Sequence, residues 1–175
     1  PVEYQLDGIN QIQVHPQIDL TFANALRSIL RQDPDIIMIG EIRDLATADM
    51  AIQAALTGHL VFTTIHANNV FDVIGRFSQM QVDPYSFVSA LNAVLAQRLI
   101  RLACPHCATP CEHDDDTLYG SGLTREGVAG WTFVRVKGCG QCRGSGYRGR
   151  SAIAELLHLD DDLRQMIVER RPLAQ

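Results

Sequence analysis

In the first part of the chain, hydrophobic positions recur with a helical period in some segments and form a continuous run in another. A 3.6-residue period with apolar side chains on one face predicts an amphipathic helix over Phe22–Gln32, with Thr21 as its N-cap. The continuous apolar run Ile36–Ile39 is typical of a strand that is buried on both faces of a sheet. A second helix is predicted over Ala46–Leu56, because alanines recur along it and Gly58 stands just past its end.

The next elements complete a strand–helix–strand unit. Leu60–Thr64 is the next predicted strand, and strand, helix and strand within about 30 residues predict a parallel pair with a right-handed crossover. Another helix is predicted over Val70–Met80. Asp83 followed by proline is typical of a helix start, so we predict a long helix from Pro84 to about Leu102. This part of the chain is therefore an α/β layer.

The pattern changes at Cys104. Cysteine pairs, an acidic run and a glycine-rich stretch replace the apolar periodicity, which predicts a small, loop-rich insert with a short strand over Trp131–Val136. Regular patterning returns with Ser151–Leu159, read as a strand, and with a helix opened by Asp160. The predicted segments are an α/β core over 1–103, the insert over 104–150, and a strand and helix over 151–175 that return to the core.

Composition restricts the class of protein. The chain has 175 residues, of which 46% are hydrophobic and 20% charged, a globular balance that argues against disorder. The formal net charge is −5, whereas proteins that bind nucleic-acid backbones are usually basic, so we do not expect nucleic acid as the main partner. Neither a long apolar run nor a secretory leader is visible, so no transmembrane segment is expected. The opening Pro1–Tyr4 has no initiator methionine and suggests the interior of a longer protein.

Four of the five cysteines form two Cys-x-x-Cys pairs: Cys104, Cys107, Cys139 and Cys142. In a chain without a secretory signal, such pairs are more typical of a metal site than of disulfides. Four thiolates suit tetrahedral zinc and leave no open coordination position, so the predicted zinc has a structural role. Cys111 is left over, and His106 is a less favoured substitute ligand. Reduced thiols that bind no metal are the alternative interpretation.

Polar residues follow both predicted strands, at the edge where open parallel sheets bind ligands. Glu41 comes directly after the first strand, where P-loop ATPases place the acids that act on magnesium and on the attacking water. His59 precedes the second strand and His66 follows it, which puts His66 at the carboxyl end. Each signal alone is weak, because a surface glutamate after a strand and a lone histidine are more often structural.

Together these motifs resemble the secretion ATPase family that powers type II secretion and type IV pilus assembly, a branch of the RecA-like hexameric motors. Leu26–Asp44 is similar to the Walker B region of that family, Thr57–His66 to its histidine box, and Pro1–Tyr4 to the tail of its aspartate box. The paired Cys-x-x-Cys motifs resemble the zinc element of the secretion and pilus-extension members. Gly146–Arg150 and Glu155 also match the family pattern.

The resemblance implies a partial RecA-like P-loop ATPase core with an inserted tetracysteine zinc element and a helical C-terminal tail. It implies ATP hydrolysis with Mg²⁺ in a cytoplasmic homo-hexamer that docks on the inner-membrane platform proteins of type II secretion or, alternatively, of pilus assembly. The implied catalytic residues are Glu41 and Glu3. His59 and His66 are implied on the γ-phosphate side. Arg43 is a further candidate for contact with the nucleotide, but we expect it to form a supporting ion pair with the next residue, Asp44.

One motif of the family does not occur in the chain. The phosphate-binding loop Gly-x-x-x-x-Gly-Lys-Ser/Thr is absent, and the only lysine, Lys137, is not in such a context. The chain therefore resembles the carboxyl-terminal half of a motor, and we expect it to be inactive alone. Two other interpretations stay open. The first is a zinc-ribbon module that binds nucleic acid, which filter binding at two salt concentrations would test. The second is an inactive truncated remnant, which is tested by looking for a phosphate-binding loop in the coding sequence upstream.

Overall fold

The computed structural model of the chain describes residues 2–171. The helices are α1 (Phe22–Ile29), α2 (Leu45–Leu56), α3 (Val70–Gln79), α4 (Pro84–Ala90), α5 (Asp115–Gly120) and α6 (Asp161–Val168). The strands are β1 (Ile36–Ile39), β2 (Leu60–Thr63), β3 (Ala93–Ala103), β4 (Ala108–Pro110), β5 (Val134–Val136) and β6 (Tyr147–His158). Pro1 of the predicted aspartate-box tail and residues 172–175 of the predicted C-terminal segment lie outside the described residues. No helix within residues 2–171 has the length and apolar composition needed to cross a bilayer.

The chain divides into two compact units. The first is formed by the chain up to Ala96 together with the chain from Glu155 onward, and the second is Gln97–Ala154. The first unit contains the β1–β2 sheet and five of the six helices, and the second contains the β4–β5 sheet, α5 and the cysteine pairs. The two candidate sites, one at the sheet and one at the cysteines, therefore belong to different units.

The β1–β2 sheet confirms the predicted parallel pair. Ile36 pairs with Leu60 and Ile39 pairs with Thr63, so the two strands end at the same edge. Helix α2 forms the crossover between them, and its N-cap is Asp44, whose side chain accepts a hydrogen bond from the Thr47 backbone N–H at 2.8 Å. The crossover thus brings residues that are far apart in sequence to one end of the sheet.

The predicted burial of β1 on both faces is wrong. Ile37 and Ile39 are buried, but Ile36 is 61% exposed and Met38 is 74% exposed. Side chains alternate across a strand, and the helices of the described residues cover only the face that carries Ile37 and Ile39. The apolar run therefore identified the strand correctly and overstated its burial.

Side-chain caps fix where the helices of the first unit begin. Thr21 accepts from the Asn24 N–H at 3.2 Å, as predicted, and short polar side chains that carry an acceptor oxygen also cap the later helices. The capping residues of those helices are Asp44, Asn69, Asp83 and Asp160. The first predicted helix is shorter than expected, because α1 ends at Ile29 and continues as a 3₁₀ turn over Leu30–Gln32.

The long helix predicted from Pro84 to about Leu102 is wrong. Helix α4 ends at Ala90, and β3 then runs from Ala93 to Ala103 beside β6. Leucine, alanine, glutamine and arginine favour helices, but pairing with a distant strand overrides that local preference. The Leu159 N–H donates to the Asn92 carbonyl at 3.0 Å, where this pairing begins.

The later strands are close to their predicted places. The strand expected over Trp131–Val136 is the shorter β5, which pairs antiparallel with β4. The strand expected over Ser151–Leu159 is β6, which begins earlier, at Tyr147. The helix expected after Asp160 is α6, capped by that aspartate at 2.8 Å.

Candidate functional site

Glu41 and His66 meet at the carboxyl ends of β1 and β2. The His66 Nε2 atom lies 3.6 Å from the Glu41 Oε2 atom. The Glu41 side chain is only 14% exposed, whereas that of His66 is 86% exposed. A largely covered carboxylate thus borders a solvent-exposed imidazole at the sheet edge where α/β proteins bind ligands.

Arg43 also contacts Glu41. Its Nε atom lies 2.5 Å from the same Oε2 atom, and its side chain is 69% exposed. The expected ion pair between Arg43 and Asp44 is therefore wrong, because the Asp44 carboxylate caps α2 and Arg43 turns to Glu41 instead. One carboxylate oxygen is shared by two side chains that carry, or can carry, positive charge.

Thr64 holds the backbone on both sides of Glu41. This residue was not singled out from the sequence. Its hydroxyl donates to the Gly40 carbonyl at 2.5 Å, and its own carbonyl accepts from the Ile42 N–H at 3.0 Å. These bonds attach the segment after β1 to the segment after β2. The only signal in the sequence was the position of Thr64 at the end of the predicted second strand, two residues before His66.

His59 lies at the opposite end of β2 from Glu41. Its Nδ1 atom is 2.9 Å from the Ala54 carbonyl oxygen and 3.2 Å from the Thr57 hydroxyl. This ring therefore secures the turn between α2 and β2, and the structure does not bring it to His66.

Glu3 is exposed and belongs to the amino-terminal segment. That segment is held by local bonds, in which the Val2 N–H donates to the Gln13 side chain at 2.7 Å and the Gln11 amide donates to the Tyr4 carbonyl at 2.9 Å. Among the hydrogen bonds and ion pairs of residues 2–171, none joins Glu3 to Glu41 or His66. Within the described residues, no hydrogen bond or ion pair therefore links the two predicted carboxylates.

The four cysteines of the Cys-x-x-Cys pairs form a second cluster, in which all Sγ atoms lie within 4.8 Å of one another. The Cys104–Cys139 and Cys107–Cys142 sulfur atoms are 3.9 Å apart, and those of Cys139 and Cys142 are 3.7 Å apart. Sulfur atoms bound to tetrahedral zinc at about 2.3 Å lie about 3.8 Å from one another, whereas a disulfide requires about 2 Å. The cluster therefore has the dimensions of a tetrathiolate zinc site.

Backbone hydrogen bonds prepare one of these sulfurs to bind metal. Burial disfavours the Cys142 thiolate, but the N–H groups of Cys139 and Gly146, which donate to its Sγ at 3.1 and 3.2 Å, prevail and lower its pKa to about 6. Burial instead dominates at Cys107 and raises the pKa of that thiol to about 11. Since metals bind thiolates, Cys142 is the sulfur best prepared for a metal, whereas Cys107 has to lose a proton when the metal binds.

The glycine-rich stretch allows the second cysteine pair to turn tightly. Gly138 has a φ of +85°, and a Cβ added there would collide with the Gly144 carbonyl. Gly146 has a φ of +78°, and a Cβ there would lie 2.7 Å from the Val136 side chain. These glycines bring the Gly146 N–H to Cys142.

Cys111 is outside the cluster. Its backbone N–H donates to the Phe133 carbonyl at 3.0 Å, and its sulfur lies 3.7 Å from the His113 Nε2 atom. His106 is not part of the cluster among the described residues either. The four cysteines that the sequence predicted as ligands are the four that the fold brings together.

Comparisons with known proteins agree with these motifs. The family model described as "Type II/IV secretion system protein" matches residues 1–174. The chain is 52% identical to the type IV pilus assembly ATPase PilB of Thermus thermophilus, over 96% of this chain and 19% of that protein. It is 48% identical to the type II secretion system protein E of Dickeya dadantii, over 95% of this chain and 33% of that protein. The chain thus spans a third or less of the length of these relatives.

Solved structures show the same fold. The crystal structure of the pilus retraction motor PilT with bound ADP superposes with a TM-score of 0.55 at 29% identity, over 86% of this chain and 33% of that chain. The Legionella pneumophila ATPase DotB superposes with a TM-score of 0.58 at 22% identity, over 91% of this chain and 33% of that chain. The fold is thus the α/β, RecA-like fold expected from the motifs. The chain belongs to the type II/IV secretion system protein family.

Proposed function

We propose that this chain is the carboxyl-terminal part of an ATPase that drives type II protein secretion, and that Glu41 acts on the water that attacks ATP. The observation that supports this most strongly is the convergence of Glu41 and His66 where β1 and β2 end, at 3.6 Å. Several relatives, including the Vibrio cholerae protein at 47% identity, are named as secretion or pilus assembly ATPases. A covered carboxylate at the carboxyl end of a strand suits a group that orients and deprotonates water.

The other residues of the edge have supporting roles in this proposal. His66 and Arg43 share the Oε2 oxygen of Glu41, at 3.6 and 2.5 Å. Since both side chains are largely exposed, the γ-phosphate of a magnesium-bound ATP can compete for them and free the carboxylate for water. His59 supports the turn before β2, and a nucleotide contact by Glu3 stays a prediction.

Zinc is proposed at Cys104, Cys107, Cys139 and Cys142. The sulfur spacing and the lowered pKa of Cys142 support this assignment. When bound, zinc supplies four strong coordination bonds within the second unit, and tetrathiolate coordination leaves no position for substrate. Its proposed role is therefore to hold that unit folded.

Assembly and location are also part of the proposal, supported by membership of the family. We infer a homo-hexamer at the cytoplasmic face of the inner membrane, in contact with platform proteins, that uses ATP and Mg²⁺. Sequence identity does not separate secretion from pilus assembly, since the values for the two kinds of relative are 52% and 48%. Pilus assembly is therefore the second candidate function.

A chimera tests the proposed function directly. This chain replaces the matching segment of 169 residues in the Vibrio cholerae type II secretion ATPase E, and ATP hydrolysis and secretion are measured in a strain that lacks the native protein. Hydrolysis with restored secretion supports the type II assignment. If the same replacement in the Thermus thermophilus pilus ATPase restores pili while the secretion chimera is inactive, pilus assembly is the function. A folded chimera that hydrolyses no ATP in either context contradicts the proposal.

The isolated chain should bind magnesium ATP weakly or not at all. It supplies Glu41 and His66, but no loop of the type that cradles the β- and γ-phosphates occurs in its sequence. Calorimetry with magnesium ATP on zinc-loaded, folded chain measures this. Micromolar affinity would show that the nucleotide site lies elsewhere, for example in the glycine-rich stretch near Lys137.

A further inference from the structure

Two hydrogen bonds of one residue bracket Glu41 in the sequence. The Thr64 hydroxyl donates to the carbonyl of Gly40, at 2.5 Å, and the Thr64 carbonyl accepts from the N–H of Ile42, at 3.0 Å. The residues on either side of Glu41 are thus both attached to one residue of the neighbouring segment. The regular pairing of β1 with β2 ends one residue earlier, at Ile39 and Thr63. The two bonds of Thr64 extend the pairing beneath Glu41.

We propose that Thr64 is a positioning residue for Glu41: its hydroxyl fixes the backbone of the Gly40–Ile42 segment, so that the Glu41 carboxylate stays beside His66 and at the reacting water. This inference rests on the proposed function of Glu41. Thr64 lies two residues before His66, so the same residue sets the spacing between the segments that carry the two side chains. That spacing appears as the distance of 3.6 Å between Glu41 Oε2 and His66 Nε2.

The bond made by the hydroxyl affects position more than it affects folding. The Gly40 carbonyl is at an exposed place, so water can replace the hydroxyl there and no buried acceptor is left without a partner. Substitution of Thr64 by valine keeps the β-branched shape and the backbone bond to Ile42, and removes only the hydroxyl donor. The segment that carries Glu41 would then be held on one side only. A displacement of about 1 Å in a reacting group costs up to about 100-fold in rate.

The test compares three variants in the complete ATPase that contains this chain. Thr64→Val should lower kcat by about 10- to 100-fold with KM for ATP changed less than about threefold, at unchanged hexamer assembly and nearly unchanged melting temperature. Thr64→Ser keeps the donor and should restore most of the rate. Thr63→Val is the matched control, because the Thr63 hydroxyl donates to the Thr64 carbonyl at 3.3 Å and not to Gly40, and its kcat should stay near that of the native protein.

Two further variants separate this inference from the proposed function. Glu41→Gln alone and combined with Thr64→Val should have the same low rate, since a positioning residue has no further effect when the group it positions is disabled. If Glu41→Gln hydrolyses ATP normally, the proposed role of Glu41 fails, and the role of Thr64 fails with it. If Glu41→Gln is inactive but Thr64→Val resembles Thr63→Val, only the inference about Thr64 is overturned. Loss of assembly or of ATP binding in Thr64→Val, without rescue by serine, overturns it as well.

Discussion

In the complete ATPase proposed for this chain, Glu41→Gln should lower the turnover of ATP by about 10²–10⁴-fold while ATP still binds. Glutamine keeps the size and most of the hydrogen bonding of glutamate, but it has neither the negative charge nor the basicity that the attacking water requires. The phosphates of ATP are held mainly by a phosphate loop and magnesium in this class of enzyme, so binding does not depend on Glu41.

The alternative is that Glu41 has a structural role, which is supported by the contact of Arg43 with its carboxylate at 2.5 Å. The Arg43 side chain is exposed, and ion pairs at exposed sites contribute about 0–1 kcal/mol, which is too little for the expected loss of rate. ATP binding and single-turnover hydrolysis are therefore measured on the same preparation. The control is Asp35→Asn, which removes a negative charge immediately before the amino end of β1. Near-normal turnover in Glu41→Gln contradicts the catalytic role, and loss of both binding and assembly makes Glu41 structural.

Removal of the proposed zinc should unfold the second unit. Across Gln97–Ala154, every residue of which is described, the buried hydrophobic residues are Cys104, Leu118, Val128 and Cys142. Two of these four are proposed ligands, so little apolar burial is left to stabilise the unit without metal. Structural zinc contributes about 10–16 kcal/mol of apparent binding free energy in small zinc domains, and this energy serves as folding energy.

Cysteine variants make this expectation specific. The native chain should contain about one zinc, and Cys104→Ser or Cys142→Ser should lose most of it, because each removes a buried sulfur from the cluster. Cys111→Ser is the matched control and should retain the metal, since its sulfur lies outside the cluster. Elemental analysis measures the zinc, and hydrogen exchange of Gln97–Ala154 measures the folding of the unit. Native protein without metal and with five freely titratable thiols would contradict the assignment.

The sequence predicted the elements whose signals are local. The parallel pair β1–β2 followed from two apolar runs and a helical period between them, and Gly58 with its φ of +104° marks the end of α2 as expected. The tetracysteine cluster followed from spacing, because each Cys-x-x-Cys turn already places two sulfurs near each other. The placement of Glu41 and His66 at one edge of the sheet was predictable, because each residue follows a strand and parallel strands end at the same edge.

What the sequence missed depends on contacts between distant residues. The residues of β3 favour a helix locally, and only their pairing with β6, more than forty residues later, makes them a strand. The partner of Arg43 was predicted wrongly, because Asp44 is adjacent in sequence but its carboxylate is already used to cap α2. Thr64 was missed since a threonine after a strand has many possible acceptors, and only the fold selects the Gly40 carbonyl.

The most direct measurement is a structure of the complete ATPase with Mg²⁺ and a non-hydrolysable ATP analogue. We expect the γ-phosphate beside the carboxyl ends of β1 and β2, with a water molecule about 3 Å from the Glu41 carboxylate and with His66 on the phosphate side. Zinc should be bound by the four cysteines in the same structure. A nucleotide bound elsewhere, with Glu41 still held by Arg43 and no phosphate near His66, would contradict the account.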